Sequence, residues 1–125
     1  QNKESDKEMI RSIFVTFQKE GIHCYPDAPE GVAFLRSPHR HMFHFRVTVE
    51  VYHDDRDIEF ILFKRELESM YDAGAMLIDH KSCEMLADDL IKYISTEYSG
   101  RTVSVEVSED GENGATLVYT PAPTQ

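Results

Sequence analysis

The chain has 125 residues, enough for one domain around one core and too few for two. Apolar residues make up 41% and charged residues 29%, ordinary globular usage that argues against disorder. With 13 basic against 23 acidic residues the formal net charge is −10, which disfavours phosphate backbones and anionic lipid surfaces, so neither nucleic acid nor a membrane is an expected partner.

No apolar run approaches the roughly 18 residues a membrane span needs, and no basic start followed by an apolar stretch marks a signal peptide. Two cysteines, Cys24 and Cys83, are too few for a disulfide framework, so free thiols and a cytoplasmic location are the expectation. Residues 1–8 are polar without periodicity and read as a flexible tail ahead of Met9, a candidate native start. Residues 9–120 read as the single domain and residues 121–125 as a second tail.

Residues 10–18 are rich in β-branched and aromatic types and predict a first strand. Residues 20–38, with Gly21, Pro26, Pro29, Gly31 and Pro38, read as a long irregular loop, a length usually kept for function. The strongest strand signal covers residues 39–53, where His39, His41, Phe43, Phe45, Val47, Val49 and Val51 share one face at period two. After a charged break at His53–Asp57, Phe63, Leu67 and Met70 predict a helix over Phe60–Tyr71, ended by Ala73-Gly74-Ala75. Ser82 is a good N-cap for a second helix to about Tyr98, carried by Leu86, Leu90 and Ile94 and closed by Gly100. Thr102–Val107 and Ala115–Thr120 alternate as strands around a Gly-, Asp- and Asn-rich hairpin loop over residues 109–114. The order ββααββ predicts an α+β domain, a four-stranded antiparallel sheet with two helices on one face.

The histidines carry the chemistry. His39 and His41, two apart on a strand, send both rings from one face and can converge on one ion. His23 follows the first strand, which as a hairpin partner of the second would bring a third nitrogen, leaving the open fourth position of a catalytic zinc site. Spacing alone leaves open the alternative of two strand histidines without metal. His44, on the opposite face, and His53, at the strand end, read as surface residues. Glu84 reads as a carboxylate stabilising the positive start of its helix, and Cys83 as a small buried apolar residue.

Taken together, the segments resemble the 6-pyruvoyl-tetrahydropterin synthase and 6-carboxytetrahydropterin synthase family, whose architecture is the tunnelling fold (T-fold). Phe17–His23 looks like that family's first strand running into its first zinc histidine, and His39-Arg40-His41-Met42-Phe43 stands where the family has His-Gly-His. Ile58-Glu59-Phe60 with Phe63-Lys64, Leu77-Ile78-Asp79-His80, Ser82-Cys83-Glu84-Met85-Leu86-Ala87 and Val105-Glu106-Val107-Ser108-Glu109 are similar to later family segments, in order, over about residues 10–119. The resemblance implies Zn2+ on His23, His39 and His41. It implies Asp79 and His80 as a proton-relay pair, and Glu109 as the carboxylate gripping the edge of a pterin ring. It also implies a homo-oligomer, a hexamer or related ring, in which sheets of several subunits close into a barrel.

Three departures stand out. Leu35-Arg36-Ser37-Pro38 carries no thiol where the family has its catalytic cysteine. Cys24 abuts His23 and is the substitute candidate, although neighbours on an extended chain point opposite ways. The segment from Asp79-His80 to the second helix is short, and Arg40 replaces a glycine, adding a cation for a substrate phosphate or a partner carboxylate. Two main readings follow: a zinc-dependent pterin synthase or lyase acting on dihydroneopterin triphosphate or a relative, and a non-catalytic binding protein for a pterin, purine or nucleotide. A protein needing only the oligomeric barrel is a third.

Overall fold

Period-two alternation builds the centre of the molecule. The computed structural model describes residues 9–71, 76–77 and 79–122. In it, strands β1 (Arg11–His23) and β2 (His39–Val51) pair antiparallel along their full length, from Arg11 opposite Val51 to His23 opposite His39. Strand β4 (Val103–Glu109) runs antiparallel to β2, with Val103 opposite Val49 and Glu109 opposite Phe43, and β5 (Asn113–Tyr119) closes the hairpin on β4. A two-residue strand, β3 (Met76–Leu77), lies parallel to Gly21–Ile22, so the order is β3-β1-β2-β4-β5. The four antiparallel strands are the sheet expected from the pattern; β3 is too short for any pattern to announce.

The odd-numbered residues of β1, β2 and β4 supply the covered face: Val15 and Phe17, Phe43 to Val51, and Val103, Val105 and Val107. Helix α1 (Phe60–Glu68) lays Phe63 and Leu67 on it, and α2 (Cys83–Glu97) lays Leu86, Ala87, Leu90, Ile91 and Ile94. Helix α1 lies against β1, and α2 crosses β4 and β5. The even-numbered face carries exposed Phe14, Met42 and Val118, with the Arg46 guanidinium 3.9 Å above the Phe14 ring. Both helices therefore lie on one face of the sheet. None of the described helices is long and apolar enough to cross a membrane.

Several boundaries move, each for a local reason. Strand β1 runs five residues past its expected end because Lys19–His23 pairs with β2, which composition alone does not encode. The loop before β2 holds a 3-10 segment, Glu30–Arg36, kinked at Val32. Helix α1 stops at Glu68 with Ser69 as its cap, so Met70 stays exposed while the Tyr71 ring packs at 5.3 Å from Phe45. The glycine-flanked stop expected at residues 73–75, the tail at residues 1–8 and most of the tail at 121–125 lie outside the described residues. Ser82 caps α2, accepting a hydrogen bond from the Met85 amide. The last hairpin is tighter than expected: Asp110 and Gly111 occupy the two positive-φ positions (57° and 73°), the requirement of a type I′ turn.

Candidate metal centre

The end of the β1–β2 hairpin assembles the site. His23 is the last residue of β1 and His39 the first of β2, directly opposite each other, and His41 lies two residues further along the same face. Ring centroids are 4.6 Å apart for His23–His39, 5.4 Å for His23–His41 and 5.0 Å for His39–His41. One nitrogen from each of the three rings lies within 4.8 Å of the others. Phe43, in edge contact with the His23 and His41 rings, walls the cluster toward the core.

What surrounds the rings fixes their protons. His23 Nδ1 lies 2.9 Å from the Lys81 carbonyl oxygen and His39 Nδ1 2.9 Å from that of Ser37. A carbonyl only accepts, so both Nδ1 atoms donate. His41 Nδ1 lies 2.7 Å from Asp110 Oδ2. Asp110 is held below the usual carboxylate range, first by the hydrogen bond from the Met42 amide and then by the one from His41, so it is an anionic acceptor. Each ring therefore keeps its proton on Nδ1 and turns the Nε2 lone pair to the cluster.

Nε2 of His23 and of His41 are buried and make no hydrogen bond. An unsatisfied buried polar atom costs roughly 1–3 kcal/mol, and two side by side are hard to account for unless a cation is shared between them. Neutral imidazole nitrogens with Nδ1 fixed by oxygen acceptors are the donor set that suits zinc and similar divalent metals. The residues present thus fit a metal ion held by His23, His39 and His41.

Beside the cluster is a cavity of about 520 Å3 whose walls include His23, His39, Cys24, His80, Cys83 and Glu109. Glu109 reaches it because it sits opposite Phe43 on the covered face; its Oε2 is 3.2 Å from His23 Nε2 and its Oε1 3.7 Å from His41 Nε2. Cys24 also lines the cavity, since β1 ends at His23 and strand alternation no longer applies. Asp79 and His80 form a pair, His80 Nδ1 being 3.2 Å from Asp79 Oδ2, with side chains 84% and 62% exposed. The Asp79 carbonyl accepts a hydrogen bond from the Cys24 amide at 2.8 Å, which ties this segment to the end of β1 that carries His23. Ile78, between Leu77 and this pair, lies outside the described residues. Arg40 is not brought to the cavity: it lies on the other face of the sheet and pairs with Glu20 at 2.8 Å.

Among solved structures the chain is similar to two variants of 6-pyruvoyltetrahydropterin synthase from Plasmodium vivax, with a catalytic glutamate replaced by alanine in one and by cysteine in the other. The first matches with a TM-score of 0.63 at 16% identity and the second with 0.62 at 14%, each over 90% of this chain and 99% of that one. The chain has the tunnelling fold. No protein-family model and no curated protein matches its sequence.

Four participants escaped the sequence. Asp110 reads as a turn residue, and only the hairpin geometry turns its carboxylate back onto His41. The Ser37 and Lys81 carbonyls carry no side-chain signal at all. Cys83 reads as a core residue; it is buried, as expected, yet it borders the cavity. Burial, reinforced by the nearby Glu109 and Glu84 charges, pushes its thiol up to about 11.

Proposed function

We propose that this T-fold domain is a metal-dependent pterin synthase or lyase, acting on dihydroneopterin triphosphate or a related pterin. The observation that carries the reading is the cluster of His23, His39 and His41, its Nδ1 atoms held by Lys81, Ser37 and Asp110, beside a cavity that His23 and His39 line and that is large enough for a bicyclic ligand. Zinc bound there would polarise a side-chain oxygen of the ligand and acidify the adjacent C–H. The chain's own residues supply the remainder. His80, paired with Asp79, lines the cavity and is the side chain placed to take up or return a proton. Glu109 is the carboxylate available to the hydrogen-bond donors of a ring edge. Cys24 is the half-buried thiol beside the metal ligands. In this reading the protein is a homo-oligomer, and the location is cytoplasmic.

A specific observation favours a second reading, a ligand-binding T-fold domain without turnover. The 3-10 segment preceding His39 holds no thiol, and Cys83, the buried thiol at the cavity, is held protonated. The experiment is to load the purified protein with zinc and incubate it with dihydroneopterin triphosphate, resolving products by chromatography. The first reading predicts a product with an altered or shortened side chain that disappears in His39→Ala. A zinc-loaded protein that returns the substrate unchanged but binds it assigns the second.

A further inference from the structure

Glu109 stands closer to the histidines than a wall residue needs to. Its two oxygens lie 3.2 Å and 3.7 Å from Nε2 of His23 and His41, yet neither ring nitrogen makes a hydrogen bond. Both rings keep their protons on Nδ1, where Lys81 and Asp110 accept them. The carboxylate oxygens therefore face lone pairs, an arrangement that is repulsive until a cation stands between. The spacings suit one. Bonds of about 2.0–2.1 Å at tetrahedral angles put neighbouring donor atoms roughly 3.3 Å apart.

We propose that Glu109 is the fourth ligand of the ion held by His23, His39 and His41 when the cavity is empty. The centre is then closed by a carboxylate, and a small molecule that reaches the ion must first displace it. The two consecutive carboxylates of the hairpin divide the work: Glu109 faces inward from β4, while Asp110, one residue into the turn, holds His41 from behind and accepts the Met42 amide. An anionic ligand also offsets the charge that three neutral imidazoles leave on a divalent ion. Because Glu109 cannot bind the ion and a ring edge at once, its release couples ligand entry to an open coordination position. This proposal rests on the metal reading given above.

The test is zinc affinity of the full-length protein, read by competition with a chromogenic chelator, and the visible spectrum of the cobalt(II)-loaded form. Wild type binds one zinc per chain and His39→Ala loses it. Glu109→Gln and Glu109→Ala weaken binding by more than the roughly 10–100-fold that losing a hydrogen-bond partner behind a ligand costs, and alter the cobalt spectrum. Asp110→Asn stays within that range. Wild-type affinity and an unchanged cobalt spectrum in both Glu109 variants would overturn the proposal while leaving the three-histidine site standing. A wild type that binds no zinc would remove both.

Discussion

Two thiols line one cavity and differ in what surrounds them. Cys83 is buried at the start of α2, and its thiol is raised to about 11, chiefly by burial and then by Glu109 and Glu84. A group raised this far is almost wholly protonated at neutral pH, since each unit is a tenfold change in the thiolate fraction. Cys24 is half-buried. With a thiol-reactive chromophore at pH 7, the folded protein is expected to give one fast-reacting thiol per chain, and a second only in denaturant. A fast phase that persists in Cys24→Ala would assign the reactivity to Cys83 and contradict this account of its environment. The same scale explains which site residues were readable. His39 and His41 announce themselves by period two, and His23 by closing the hairpin opposite them. Asp110 does not, because its role depends on two consecutive positive-φ residues that bend its carboxylate onto a residue 69 positions away in sequence.

At the level of elements, β2 explains most of what the sequence made legible. Its apolar odd positions face helices and its even positions do not, so register, covered face and the side to which His39 and His41 point follow from one pattern. Helix α2 was equally clear, with its cap and its i, i+4, i+8 leucine and isoleucine stripe. Ser82 holds the amide of Met85 and starts the helix that carries Cys83 to the cavity. Ser82→Ala should lower stability by about 1 kcal/mol in chemical denaturation of the metal-free protein. No measurable loss would mean that Lys81 and Cys83 set the helix start without the cap. The second half of β1 was not legible, because Lys19, Glu20 and Gly21 lack strand composition and gain their conformation from pairing with β2. The 3-10 segment between the two strands is held by contacts within its own loop, including the hydrogen bond from Arg36 Nε to the Ala28 carbonyl.

For the whole molecule, the sheet leaves two features unsatisfied in a single chain. Among the described residues, strand β5 is an edge, and β1 is covered on its outer side only at Gly21–Ile22 by β3. The even-numbered face carries no helix among the described elements and exposes Phe14, Met42 and Val118. Open edges are templates for further strand pairing, and closing them between subunits removes that hazard. The chain is therefore expected to sediment and scatter light as a ring-like homo-oligomer such as a hexamer; a stable monomer at micromolar concentration would contradict this. The ββααββ order made the fold legible at this scale, while the two-residue β3 and the tight hairpin that presents Asp110 could only come from the three-dimensional chain.

In the proposed metal centre, His23, His39 and His41 share one ion, with their Nδ1 protons held by Lys81, Ser37 and Asp110. Anomalous diffraction at the zinc edge, from crystals of the full chain grown with zinc, tests it most directly. One peak per chain is expected, about 2.0–2.1 Å from Nε2 of each of the three histidines. Density for the three rings with no anomalous peak among them, or a peak bound through Nδ1 instead, would contradict it.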